Sequence, residues 1–276
     1  MKQLRQRRTL ALLLAPALLF LTFFFLLPLL IVLGGSLRGA GPGLSLARYL
    51  EFLTDPQVQR VYVRTLTLGA IVTPIAALAS YPAAYAIVRM SAGRRSLLMS
   101  LIVLPLMTSP VARTYAWLVI LGRFGLVNRS LQSLGLIEAP LRLIYTPQAI
   151  VVGLLQLFLP LMVLSLVSAM ENIPDDLEEA ARSLGAGPVG AFFRVTVPLS
   201  MDGLVIGGTL VFTGCITAYV TPAVLGGTRV LTLATLMQQR AMVLMDWEGA
   251  TVVAAVMVVT TLIIYGLLRS LRPRTA

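Results

Sequence analysis

The chain offers few side chains that could catalyse a reaction or hold a metal ion. Among 276 residues there is no histidine, one cysteine, Cys215, and one lysine, Lys2. Zinc and non-haem iron enzymes and the Ser-His relay all depend on imidazole. A phosphate-binding loop needs a lysine after its glycine-rich turn, and Lys2 lies in the basic N-terminal tail. We therefore expect neither an enzyme nor a nucleotide-hydrolysing motor, and no cofactor held by this chain.

The one strongly charged stretch away from the termini is acidic. It holds five of the 11 carboxylates: Glu171, Asp175, Asp176, Glu178 and Glu179. Pro174 suits the first position of a helix, the acids that follow it meet the positive end of the helix dipole, and Gly185 suits the helix end. An apolar stripe recurs at helical spacing through Leu177, Ala180, Ala181 and Leu184. The segment predicts a short amphipathic helix that ends at a glycine.

A second short element is predicted after the glycine break, over residues 189–195, and Pro198 marks the entry to the next apolar run. Two interpretations of the whole segment remain open. It is either a surface hairpin that links two apolar runs, or a docking site whose alanines let a partner's backbone approach closely.

A second group of candidates lies in apolar surroundings. Arg113 lies inside an apolar stretch, where an arginine costs about 2.5–3.5 kcal/mol on insertion scales. It either extends its charge to the interface at the end of the stretch or pairs with a carboxylate or a helix C-terminus. Further candidate functional residues are Tyr115, Trp117, Tyr219 and Asp246. Aromatic residues near span ends are also common interface anchors, so both roles stay open.

The elements that carry these residues are set by composition. Hydrophobic residues make up 58% of the chain and charged residues 12%, whereas a soluble domain carries about a quarter charged residues. This predicts an all-α integral membrane protein. Basic residues outnumber acidic ones 22 to 11, but they are dispersed between long apolar runs. The excess therefore favours contact with membrane lipid, and we expect no nucleic-acid partner.

Six runs without charged residues mark candidate membrane spans, each of which needs about 20 helical residues. They lie between Arg8 and Arg38, Arg64 and Arg89, Arg95 and Arg113, Arg142 and Glu171, Asp202 and Arg229, and Glu248 and Arg269. The third is short but resumes after Arg113, so we interpret it as one span with an arginine inside it. The first is too long for a signal peptide and predicts an uncleaved helix.

Basic residues in both tails and in residues 89–95 favour cytoplasmic N- and C-termini.

The acidic segment also carries a family resemblance. Glu179-Ala180-Ala181, then Gly185, then Val195-Thr196-Val197-Pro198 resembles the EAA signature of binding-protein-dependent ABC transporter permeases, which usually ends in Ile-x-Leu-Pro. Other stretches, over about residues 60–270, resemble the spermidine/putrescine-type subgroup of that family: Arg113-Thr-Tyr-Ala-Trp117, residues 125–135, residues 221–227 and Asp246-Trp247.

The resemblance implies six transmembrane helices with a cytoplasmic coupling loop between the fourth and the fifth. It implies three regions: residues 1–60 with the N-terminal tail, first helix and external loop; a MetI-like permease core over 61–270; and the coupling loop at 171–198 within it. The loop residues implied to contact a separate ATPase are Glu179, Ala180, Ala181, Leu184, Gly185 and Pro198. ATP and magnesium would be used by that ATPase subunit.

The same resemblance implies an importer in the inner membrane. The candidates for its translocation path or external gate are Arg113, Tyr115, Trp117, Tyr219 and Asp246. Its partners would be ATPase subunits, a second permease subunit, identical or different, and an extracytoplasmic solute-binding protein. The solute would be a polyamine or another small solute such as a phosphonate, an opine or iron. A stand-alone secondary transporter is the rival class, but it predicts carboxylates or a proton relay inside the membrane, which the apolar runs lack.

Overall fold

The computed structural model describes residues 13–37 and 45–270. Within these two ranges the regular structure is entirely helical. The basic residues at both ends on which the predicted orientation depends, from Lys2 to Arg8 together with Arg272 and Arg274, lie outside the described residues, as does Arg38. The orientation therefore stays a prediction.

The described helices follow one another through short connections. In chain order they are α1 (Leu13–Ser36), α2 (Ala47–Thr54), α3 (Pro56–Val88), α4 (Ala92–Val103), α5 (Pro110–Leu121), α6 (Leu126–Ser133), α7 (Pro147–Met170), α8 (Asp175–Ser183), α9 (Pro188–Leu199), α10 (Met201–Thr217), α11 (Val220–Leu225), α12 (Leu233–Gln238) and α13 (Trp247–Ser270).

The described residues contain four single helices that are candidates for membrane spans, α1, α3, α7 and α13, each long and apolar enough to cross a bilayer. Two further candidates are bent pairs. One is Ala92–Met107 with Pro110–Ser133, bent by 93°, and the other is α9 with α10, bent by 65°. The described spans therefore number four, or up to six if each bent pair counts as one. All-helical membrane architecture is confirmed, and the count of six stays a prediction.

The third predicted span is not a continuous helix. A 3-10 turn, Leu104–Met107, follows α4, and Thr108 and Ser109 are extended, with ψ angles of 150° and 126°. Pro110 accounts for the break, because the residue before a proline is disfavoured in helical conformation. Arg113 consequently lies in the first turns of α5, after the break.

Two helices contain a π-helical turn close to a proline. A π-helical turn at Thr22–Leu26 lies just before Pro28, and another at Phe192–Thr196 lies just before Pro198. A proline lacks the N–H that would close the preceding turn, and π-helical turns are often found where the normal hydrogen-bond ladder is interrupted. Both π-helical turns therefore end two residues before a proline.

The chain divides into two compact units, residues 1–59 with 237–258 and residues 60–236 with 259–276. The core of the larger unit is centred on α7, whose Leu154, Met162 and Leu166 are fully buried. Helix α10 packs along α7. Gly203 and Gly207 of α10 allow this approach, because a Cβ atom on Gly203 would lie 2.5 Å from the Cβ atom of Ala169.

Candidate functional site: the acidic loop and the gate candidates

The acidic loop, residues 171–198, has the local structure that its sequence predicts. Helix α8 begins at Asp175, one residue after the expected start, because Pro174 is still extended with ψ at 133°. Gly185 has a φ of +90°, and the N–H of Ala186 donates to the carbonyl of Ala181. This is the Schellman arrangement that glycine permits at a helix end, so the predicted glycine break is confirmed.

Glu178 fastens the loop to the rest of its unit. Its carboxylate is buried and forms an ion pair with Arg89, at the end of α3, over 2.5 Å. It accepts hydrogen bonds from Thr196 of α9 and, at 3.4 Å, from Tyr85 of α3, and Arg182 lies 3.8 Å away. One carboxylate thus ties together α3, α8 and α9.

Charge explains why this buried carboxyl group stays ionised. Burial alone would raise the pKa of Glu178. The hydrogen bond from Thr196 and the guanidinium groups of Arg89 and Arg182 lower the pKa by more than burial raises it, so the pKa lies below its ordinary value. Glu178 therefore carries its charge at neutral pH.

Two further contacts hold the same loop. Glu171, at its start, forms an ion pair with Arg95 of α4. Phe192 of α9 packs edge-on against the ring of Tyr85, with ring centroids 5.0 Å apart, and against Tyr81 at 6.1 Å. The loop therefore contacts α3 or α4 at its start, at Glu178 and at Phe192.

Most of the predicted docking residues lie on the solvent-exposed side of this loop. Leu184 is 90% exposed and Leu177 is 41% exposed, so the apolar stripe is not covered within the described chain. Glu179 and Ala180 are exposed and Ala181 is partly exposed. Pro198 is exposed too, but it lies on α9 and not on the helix with the others.

The candidates for a translocation path or gate in the larger unit have different surroundings. Trp117 packs against the core of the larger unit, whereas Tyr115 and Tyr219 are about half exposed. Arg113 forms no ion pair within the described chain, and its buried Nε and Nη1 atoms have no hydrogen-bond partner there. Of the roles left open for Arg113, pairing with a carboxylate is therefore not made by the described residues.

Asp246 belongs to the smaller unit and has partners there. It caps the first turn of α13, since its Oδ1 accepts a hydrogen bond from Gly249 N–H at 2.8 Å. Its carboxylate also lies 3.7 Å from Arg48 and 3.8 Å from Arg240, and Arg48 pairs with Glu248 as well. These acids are already neutralised, which makes them poor receptors for a cationic solute.

Sequence reasoning missed two features. Glu178 was grouped with the other acids, although its spacing of four residues from Arg182 is a usable helical signal. A cavity of about 610 Å³ in the larger unit was not anticipated at all; it is lined by Tyr115, Arg142, Tyr145, Gly227 and Arg229, among others. Its wall comes from three segments that are separate in the sequence. The residue pattern within one segment does not predict that the three segments meet.

Comparisons with known proteins agree with the EAA resemblance. A family profile described as "Binding-protein-dependent transport system inner membrane component" matches residues 5–276. The spermidine/putrescine transport system permease protein PotB of Haemophilus influenzae is 34% identical over 89% of this chain and 88% of its own length. The molybdenum transport system permease protein ModB of Mycobacterium bovis is 35% identical over 60% of this chain and 61% of its own length.

Among solved structures, a bacterial alginate ABC transporter in complex with an alginate-bound periplasmic protein has the same fold. It matches with a TM-score of 0.79 at 17% identity, covering 99% of this chain and 96% of that one. Since the profile spans nearly the whole chain and the PotB relative exceeds 30% identity, the chain belongs to the inner-membrane components of binding-protein-dependent transport systems and is a permease subunit of an ABC importer, not itself an enzyme.

Proposed function

We propose that residues 171–198 are the coupling loop of this permease, with α8 as the helix that docks into a separate ATPase subunit. The proposal is carried by one observation: an apolar stripe with Leu184 90% exposed lies on a helix that Glu178 fastens to α3. An exposed large apolar side chain next to small alanines favours a protein partner. ATP and magnesium are used by that subunit, which agrees with the missing phosphate-binding loop.

The proposed role implies a membrane topology for this chain and a position for each partner in the transporter. The loop and both termini face the cytoplasm, six helices cross the inner membrane, and a second permease subunit completes the pathway. Residues 1–60 form the N-terminal region and 61–270 the permease core. The solute-binding protein docks on the opposite side, at the connections that precede α7 and follow α11. This topology rests on the basic residues in both tails and in residues 89–95.

We infer that the solute is a polyamine, on the strength of the identity with the spermidine/putrescine relative over most of both chains. Selectivity then resides largely in the solute-binding protein, because Asp246 and Glu248 are paired with arginines. The match to a molybdenum permease favours a molybdenum-containing solute as the second candidate. A ligand screen on the cognate binding protein decides: micromolar binding of spermidine or putrescine supports the first, and binding of a molybdenum-containing solute alone overturns it.

The docking role is tested by copurification with the ATPase subunit. We expect Glu179→Arg and Leu184→Asp to reduce the recovered ATPase while membrane insertion stays normal, because both change the exposed face of α8. Glu138→Arg is the matched control, since Glu138 is exposed and lies in the connection before α7. Equal ATPase recovery from all three variants would assign α8 a merely linking role.

A further inference from the structure

The cavity of about 610 Å³ in the larger unit has a strongly basic wall. Arg142, from the connection before α7, and Arg229, from the connection after α11, both line it. No acidic side chain is among its lining residues, and neither arginine forms an ion pair within the described chain. Two unpaired guanidinium groups at one cavity favour an anionic group, most of all a planar carboxylate.

The cavity is shaped by unusual backbone geometry. Tyr145, another lining residue, has a φ of +59°, and its N–H donates to the carbonyl of Leu225 over 2.7 Å. Gly227 faces the ring of Tyr145 so closely that a Cβ atom there would lie 2.9 Å from the ring. A positive φ at a tyrosine costs free energy and is maintained only where the surroundings impose it, which is typical of binding sites.

The cavity lies at the end of α7 opposite the acidic loop. Tyr145 comes just before α7 begins and Glu171 just after it ends, and 24 helical residues span about 36 Å. If the acidic loop faces the ATPase, this cavity faces the side from which the solute-binding protein approaches. This step rests on the proposed function.

We propose that this cavity receives an aspartate or glutamate side chain of the cognate solute-binding protein, with Arg142 and Arg229 as its charge partners. Both arginines are exposed and lie on connections beyond the helix ends, which suits capture of a protein side chain from the aqueous phase. A polyamine is excluded from the same cavity because its charge has the same sign. Charge pairs of this kind mainly set the rate and specificity of docking.

The test measures docking of the solute-loaded binding protein to the assembled transporter in nanodiscs. We expect the double variant Arg142→Gln, Arg229→Gln to weaken docking about tenfold or more and to flatten its dependence on salt, since screening acts on the charge pair. In proteoliposomes the binding-protein concentration for half-maximal uptake should rise with little change in maximal rate. The matched control Arg129→Gln removes an exposed arginine of α6 that does not line the cavity.

A charge exchange adds a second measurement. An acidic residue of the binding protein whose change to arginine weakens docking to the unmodified permease should regain affinity with Arg229→Glu. Docking equal to that of the unmodified protein in the double variant overturns the proposal. So does normal docking with lost uptake of an anionic solute, which would make the cavity a solute subsite. ATPase recovery from the same preparations reports separately on the proposed function, because it depends on the opposite face.

Discussion

At the scale of single residues, the buried carboxylate of Glu178 differs from its exposed neighbour Glu179. Glu178→Gln keeps the shape but removes the charge that pairs with Arg89. We expect local opening of α8 to become easier by about 1.5–3 kcal/mol, the range for losing hydrogen bonds to a charged group. Native-state hydrogen exchange of the α8 amides measures this, and Glu179→Gln is the control that should leave exchange unchanged.

The lowered pKa of Glu178 gives the same prediction a pH dependence. Because the pKa is below its unfolded value, the stabilising contribution is complete above the ordinary carboxyl pKa of about 4.3 and is lost as the pH falls through the folded value. A spin label at Leu184→Cys in a Cys215→Ala background should therefore gain mobility only at acidic pH. Equal mobility at neutral pH with and without Glu178→Gln would contradict the fastening role.

Residue types predicted features that depend on neighbouring residues, but they did not predict contacts between residues far apart in the sequence. The glycine break after α8, at Gly185, followed from one glycine after an apolar stripe, and it is confirmed by the φ of +90° at Gly185. The burial of Glu178 depends on Tyr85 and Thr196, which lie far from it in sequence or on another helix. Asp246 is tied to Arg48 in the same way. No pattern within one segment carries such pairings.

At the scale of elements, the break at Gly185 sets the angle between α8 and α9. Gly185→Val forces a β-branched residue into a positive φ, which costs about 1–3 kcal/mol and should distort the loop. We expect normal insertion but impaired ATP-driven uptake in proteoliposomes. Gly187→Val is the control, because Gly187 has an ordinary φ of −67° and, like Gly185, has open space around it. Full uptake by Gly185→Val would count against a rigid coupling loop.

The contact between α7 and α10 is a second element-scale feature. A methyl group on Gly203 would lie 2.6 Å from the Ser165 carbonyl oxygen, whereas on Gly208 the nearest atom would be 3.6 Å away, on Thr73. Gly203→Ala should therefore destabilise the protein by about 1–3 kcal/mol through overpacking, and Gly208→Ala should be tolerated. Thermal unfolding in detergent compares the two, and equal midpoints would show that α10 does not approach α7 this closely.

The positions of the membrane helices were easier to predict from the sequence than the breaks within them. The charge-free runs anticipated α1, α3, α7 and α13 because a membrane helix needs a long apolar stretch. The 93° bend between α4 and α5 was missed, although Pro105 and Pro110 mark it, because prolines also occur inside α3 without breaking that helix. Whether a proline kinks or ends a helix depends on how neighbouring helices satisfy the freed backbone groups.

At the scale of the whole molecule, we propose a transport pathway that depends on a separate ATPase subunit. The chain belongs to a family of inner-membrane transport components and, within the described residues, has no group of three side chains suited to hold a metal ion. Its two candidate contact sites, the exposed face of α8 and the arginine-lined cavity, lie at opposite ends of α7. Energy would enter at one end and the solute-binding protein at the other.

The most direct measurement is site-directed crosslinking of α8 to the ATPase subunit. Leu184→Cys in a Cys215→Ala background gives one exposed thiol, and Leu136→Cys, 67% exposed in its unmodified form and located before α7, is the control. We predict an adduct between the ATPase and the cysteine at position 184, and none from position 136. An adduct from position 136 only, or labelling of position 184 by an impermeant reagent from the periplasmic side, would contradict the account.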